Sequence, residues 1–228
     1  MSNQFDRTIG LIGERNFSSI QSKTILIAGI GGVGGTCFEA LLRTGFKHFI
    51  IIDKDDVDIS NLNRQVLFIN KDVGVSKVEA AKEKALSINK DIDIICHKTK
   101  IDNNFSKLIS TKVDFIVDCV DDINAKKALV SYANENNIPV ISSLGMANKL
   151  EPSLIKVGLL NKATVDPLGK KFRYALKQSG IDFSKLMVVY STEIPHKDGT
   201  KLNSIITVTS TAGLYICNYV VSYFIKME

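Results

Sequence analysis

The sequence predicts an α/β fold, a doubly wound, mostly parallel Rossmann-like sheet with a mixed C-terminal extension. Three observations predict it. The stretch ILIAGIGGVGG (25–35) runs an apolar strand into a Gly-rich turn that opens a helix. Strand and helix patterns then alternate as far as residue 145, which calls for right-handed crossovers between parallel strands. Finally, the Gly-rich loop, Asp53, the 118–122 acids and Ser142–Gly145 all fall at or just past strand C-termini, where open α/β sheets hold ligands.

The elements follow in order. Residues 5–20 read as a short amphipathic helical lead-in. Strand 24–29 is apolar after Thr24, and helix 33–45 ends at Gly45, a suitable C′ residue. HFIIID (48–53) is the second strand, followed by a polar, Asn-rich stretch to about Asn70. Helix 75–89, strand 93–96, a short helix at 104–111, strand 113–120, helix 122–136 and strand 138–145 complete the alternation. Past residue 150 the rhythm changes. LIKVGLL (154–160) reads as an added antiparallel strand, and 166–180 as a helix with Asp166 as N-cap and Pro167 at N1. LMVVYS (186–191) is a strand and 192–203 a polar loop. The β-branched run 204–209 looks strand-like, with a helix from about Ser210. One continuous domain spanning 1–228 is expected, with a nucleotide-binding core at 1–150 and an extension at 151–228.

Composition is that of a soluble globular protein, with 45% hydrophobic and 23% charged residues and a net charge of +5. That charge permits a nucleic-acid partner without arguing for one. Cys37, Cys96, Cys119 and Cys217 are scattered in apolar segments with no C-x-x-C pair, so reduced core thiols are expected rather than structural zinc. The polar start MSNQFDRTIG lacks the apolar core of a signal peptide, so the cytoplasm is the expected compartment. Residues 204–225 are long enough to span a bilayer, but their polar residues and the short helical part favour a buried helix at a subunit interface over a membrane span.

Gly29, Gly31 and Gly34 fit Gly-x-Gly-x-x-Gly, and Asp53 stands nineteen residues after Gly34, at the spacing of a ribose-binding acid. Taken alone, this reads as an NAD-dependent dehydrogenase. DKDDVDISNLNRQ (53–65) points elsewhere, with four acids, two asparagines and an arginine in thirteen residues. Arg64 suits a fork on phosphate oxygens. Asn61 and Asn63 suit either loop or phosphate hydrogen bonds. Lys77 opens a helix against its dipole, a mild cost that a polyphosphate partner would offset. Among the acids past strand 113–120, Asp121 is the candidate magnesium ligand, with Asp118 still inside the strand and Asp122 placed to cap the next helix. Lys126 and Lys127 are either phosphate contacts or a solvated face. A triphosphate, ATP with Mg²⁺, fits this set better than the diphosphate of NAD. Gly32, Asp55 and Gln65, from the same segments, complete the expected nucleotide contacts. His48, His97 and His196 have no metal or triad spacing.

GIGGVGG, DKDDVDISNLNRQ, VGVSKVEAA and DCVDDINAKKAL closely resemble the ThiF/MoeB/ubiquitin-activating-enzyme superfamily of ATP-dependent adenylating enzymes, over about residues 4–145. The resemblance implies that the Gly-rich loop and Asp53 hold ATP, that Asn63, Arg64 and Lys77 contact phosphates, and that Asp121 holds magnesium. It also implies a homodimer in which Arg7 reaches into the partner's site. GERNF, the segment 151–177 and VVYSTE look like the TcdA/CsdL branch, the tRNA threonylcarbamoyladenosine dehydratases. In that branch the threonylcarbamoyl carboxylate on adenosine thirty-seven of tRNA attacks the α-phosphate of ATP, and the acyl-adenylate then closes on itself with loss of AMP. Two departures stand out, Gly35 where the superfamily often has Ser, and a short, cysteine-free loop at 192–203. The missing cysteine weakens any covalent sulfur step, though a sulfurtransferase or cysteine desulfurase partner stays open. Lys170, Lys171, Arg173 and Lys177, with Lys149, Lys162 and Lys185 nearby, form either a tRNA-backbone surface or an ordinary solvated helix face. The rival readings are activation of the C-terminus of a ubiquitin-like or sulfur-carrier protein, and a nucleotide-binding adaptor without turnover.

Overall fold

The structure, a computed structural model, describes residues 3–196 and 201–225. Its core is a seven-stranded sheet of β1 (Thr24–Ala28), β2 (His48–Asp53), β3 (Asp93–Lys98), β4 (Phe115–Asp118), β5 (Val140–Ser143), β6 (Ile155–Leu159) and β7 (Met187–Ser191). The strand order is β3-β2-β1-β4-β5-β7-β6. Every pairing is parallel except β6 with β7. The sheet is therefore doubly wound from β1, and the expected antiparallel addition sits at its far edge. Side chains alternate across β1 as the pleat requires. Ile25 and Ile27 enter the core with α3 (Gly32–Thr44) and α7 (Ile206–Phe224), while Leu26 and Ala28 pack with α5 (Ile123–Glu135).

The helical lead-in is two helices, α1 (Asp6–Ile12) and α2 (Glu14–Gln21). The break falls at Gly13, whose φ of 79° lies outside the helical region. Phe5 and Phe17 then meet across the bend with ring centroids 5.3 Å apart. The Asn-rich stretch carries two single 3₁₀ turns before α4 (Lys77–Ile88), and the short helix expected at 104–111 is a 3₁₀ turn at Phe105–Leu108. Both predicted caps form. Asp122 accepts from the Asn124 and Ala125 amides, and Asp166 accepts from Gly169 at the start of α6 (Pro167–Gln178).

The largest correction is in the run 204–209, whose residues 206–209 join α7 instead of a strand. The reason is packing. Val208, Thr209, Ala212, Gly213, Ile216, Cys217 and Val220 form one buried stripe at helical spacing against α3. Gly213 lets the two backbones close up, since a Cβ there would come 2.5 Å from the Val33 carbonyl oxygen. Tertiary burial thus overrides the β-propensity of Ile, Val and Thr. The helix has 19 residues, so shortness does not argue against a span. Among the described residues, though, no helix is long and apolar enough to cross a membrane.

Candidate functional site

A cleft of about 350 Å³ opens over the C-terminal ends of β1, β2 and β4. Its floor is the Gly-rich loop. Gly29 leaves β1 with φ 86°, and its amide donates to the Ile52 carbonyl at 2.8 Å. A Cβ on Gly29 would come 2.8 Å from the Cys119 carbonyl oxygen. Gly31 is the N-cap of α3, so Gly31 and Gly32 present the orphan amides of a helix start to the cleft. Gly34 is placed differently from the expectation. It lies beneath the loop, where a Cβ would collide with the Gly29 carbonyl oxygen, and does not line the cleft.

Asp53 lines the cleft and fixes its shape. Its two oxygens accept from the Ile30 amide at 2.7 Å and the Asp55 amide at 2.9 Å. A carboxylate has about four lone-pair sites, so acceptor capacity remains for ribose hydroxyls. Lys77 opens α4 with its side chain only 8% exposed, its Nζ 3.3 Å from Asp55 Oδ2. It also lines the cleft, so it is not a solvent-facing lysine. Arg64 spends one guanidinium nitrogen on the Ser60 carbonyl and the Asn63 side-chain oxygen, and lines the cleft. It forms no ion pair with the described residues, which leaves part of its fork available.

The structure separates the two asparagines. Asn61 is buried and lines the cleft, its Oδ1 accepting from the Asp58 amide at 3.2 Å. Asn63 does not line the cleft. Its amide donates to the Ser204 carbonyl at 3.0 Å and so ties this loop to the segment entering α7. Gln65 is 5% exposed, lines the cleft, and its Oε1 lacks a hydrogen-bond partner among the described residues. A polar atom buried at such cost suits a site that is completed by a ligand.

Asp121 stands exposed at the cleft's lip and makes no hydrogen bond or ion pair with the described residues. Its neighbours are fully committed. Asp122 caps α5 and pairs with Lys100 at 3.2 Å, and the cap, with the Lys100 ammonium beside it, holds its carboxyl below the ordinary value. Asp118 is sealed inside the sheet against Lys126 at 3.0 Å, with neither side chain exposed. Lys126 is thus neither a phosphate contact nor part of a solvated face. Among the described residues no group of three His, Cys, Asp or Glu side chains could hold a metal unaided. Magnesium needs no such cage when phosphates supply its other oxygens, so a lone free carboxylate in this cleft fits it.

Sequence reasoning missed Lys54, Thr99, Lys100, Ile101 and Val120, which also line the cleft. Several stand just past the ends of β2, β3 and β4, so the strand-end rule would have found them. Cys119 lines the cleft as well. Burial first, and then the Asp118 carboxylate, push its thiol far up, so it stays protonated and is a poor nucleophile. Arg7 is exposed on α1 and does not line the cleft of its own chain. On α6, Lys170, Lys171 and Lys177 are exposed, with Tyr174 among them at 67% exposure. Arg173 differs from these lysines, being half-buried with one guanidinium nitrogen spent on the Leu160 and Ala163 carbonyls at 3.0 and 2.7 Å. Lys149 is buried against Asp166 at 3.0 Å and belongs to no surface.

The model of the ThiF family matches residues 5–156. A tRNA threonylcarbamoyladenosine dehydratase of Escherichia coli K12 is 35% identical over 214 residues, covering 86% of this chain and 77% of the relative. One of Bacillus subtilis is 33% identical over 196 residues, with the same two coverages of 86% and 77%. The crystal structure of the E. coli enzyme, TcdA, in complex with AMP superposes with a TM-score of 0.91 at 29% identity, covering 97% of this chain and 93% of that one. The same enzyme has also been solved in complex with ATP.

Proposed function

The chain belongs to the ThiF family, and from that premise we propose that it is an ATP-dependent tRNA threonylcarbamoyladenosine dehydratase. The observation that carries the reading is one cleft at the strand ends that gathers helix-start amides, Asp53, Arg64, Lys77 and an unpaired Asp121. The similarity to tRNA threonylcarbamoyladenosine dehydratases across more than four-fifths of the chain supports modified tRNA as the substrate. In this reading, Gly31 and Gly32 present amides to the phosphates and Asp53 accepts from the ribose. Lys77 and Arg64 neutralise charge that builds up as a carboxylate oxygen attacks the α-phosphorus and pyrophosphate departs. Asn61, buried in the cleft wall, replaces Asn63 as the asparagine assigned to the nucleotide.

Asp121 would hold magnesium, which when bound shields the phosphate charge. The acyl-adenylate then cyclises within the modified nucleoside and expels AMP. No protein nucleophile is required, in keeping with the protonated Cys119. No sulfur moves in this reaction, so a sulfurtransferase partner would supply no atom to it. We assign Arg7 to the partner's cleft in a homodimer. Its exposure, and the exposed Leu214, Tyr215 and Tyr223 on α7, support that assignment. A cytoplasmic enzyme is expected, since its substrate is tRNA.

The test is AMP release from Mg-ATP with tRNA carrying threonylcarbamoyladenosine, with mass spectrometry of the nucleosides from the same tube. AMP together with loss of one water mass is expected. No AMP and no mass change, with ATP still bound, would refute the dehydratase reading. Pyrophosphate exchange that depends on a protein ending in Gly-Gly would put carrier activation in its place.

A further inference from the structure

We propose that the buried Lys126–Asp118 pair positions Asp121, and thereby sets how tightly the nucleotide cleft takes up magnesium. The inference rests on the assignment of Asp121 to the metal.

Asp118 closes β4 with both oxygens engaged. Oδ2 meets Lys126 Nζ at 3.0 Å, and Oδ1 accepts from the Val120 amide at 3.2 Å. Lys126 Nζ also donates to the Ser143 carbonyl at 2.7 Å and lies 5.6 Å from the Phe172 ring centroid. One lysine therefore joins the ends of β4 and β5 beneath α5 and α6. Burying two charges is weak evidence for stability, because apolar residues of similar volume usually serve as well. A pair kept at that cost points to what it holds in place.

What it holds is the loop from Cys119 to Asp122. At its start, the Cys119 amide donates to the Ala28 carbonyl at 2.8 Å, and Val120 hangs from Asp118. At its end, Asp122 caps α5 and pairs with Lys100. Between these anchors only Asp121 is left without a partner among the described residues, and it faces the cleft. The loop is fixed on both sides and presents one free carboxylate. Lys126 and Asp118 do not line the cleft, so they are positioning residues.

The test compares two double variants. Asp118→Leu/Lys126→Met replaces both charges with apolar side chains and strands the Val120 amide. Asp118→Asn/Lys126→Met keeps an oxygen for that amide. Three readouts are taken: thermal unfolding, hydrogen exchange over residues 118–123, and calorimetric ATP binding across a magnesium series. In the Leu/Met variant, exchange in the loop should speed up. The magnesium needed to half-saturate its effect on ATP binding should rise about 10- to 100-fold, the usual loss when the support of a metal ligand is removed. ATP affinity without magnesium should not change. The Asn/Met variant should fall between wild type and Leu/Met, and it carries the test if Leu/Met does not fold. A folded variant with wild-type exchange and wild-type magnesium response would overturn the proposal. If the loop loosens while Asp121→Asn leaves the magnesium response untouched, the metal assignment of Asp121 is what fails.

Discussion

Replacing Lys77 by Met removes one cation from the cleft and leaves most of the buried stem in place. The structure bounds the cost to folding. Among the described residues Lys77 Nζ meets only Asp55, at 3.3 Å, and Asp55 is 51% exposed, so water can take over its partner's role. Pairs with that exposure are worth about 0–1 kcal/mol. In a domain of this size that corresponds to a fall in Tm of about 2–4 °C at most. The cost to catalysis is larger. A charged hydrogen bond to a phosphate contributes about 1.5–3 kcal/mol, which is roughly 10- to 150-fold in kcat/KM. The assay is AMP formation with Mg-ATP and modified tRNA, beside a melting curve. A fall mainly in kcat would place the lysine on the transition state, whereas a rise in the KM for ATP alone would make it a ground-state contact. A well-folded variant whose kcat/KM stays close to that of wild type would refute the role given to this lysine.

Arg7→Ala and Lys77→Met should each lose about tenfold or more in activity, yet regain up to about a quarter of wild-type activity when mixed and allowed to exchange subunits, because one cleft of the mixed dimer is then intact. Lack of rescue despite exchange would remove Arg7 from the partner's site. Lys170→Ala/Lys171→Ala/Lys177→Ala should weaken tRNA binding without altering ATP binding. The salt slope should fall by up to about 2–3, since each phosphate that a lysine no longer neutralises removes about 0.7–0.9. An unchanged slope would make the helix face merely solvated. Burial pushes the Cys217 thiol up to about 12 from 9.0. Above pH 9.0 the unfolded chain therefore loses this proton first, and stability should fall with rising pH by up to about 1.4 kcal/mol per pH unit for this one thiol. Urea unfolding of Cys217→Ala should show a shallower decline, and an identical slope would argue against the assignment.

The sequence by itself determined what depends on neighbours along the chain. The apolar run before GIGGVGG, the caps Asp122 and Asp166, Gly45 at the end of α3 and the change of rhythm after residue 150 are local signals, and each appears where expected. The motif segments likewise delivered Asp53, Arg64, Lys77 and Asp121 to one cleft. Only the tertiary structure decided between residues of the same type. Asn61 faces the cleft and Asn63 faces Ser204, although they stand two residues apart. Lys126 and Lys149 read like Lys127 and Lys170, yet two of the four are sealed inside with Asp118 and Asp166. Arg173 sits in a basic stripe but serves two backbone carbonyls. The β-branched start of α7 turned helical because α3 offered it a face to bury. In each case the partner that settles the role lies outside the residue's own element, and a charge or a hydrogen-bonding group is defined by what it meets there.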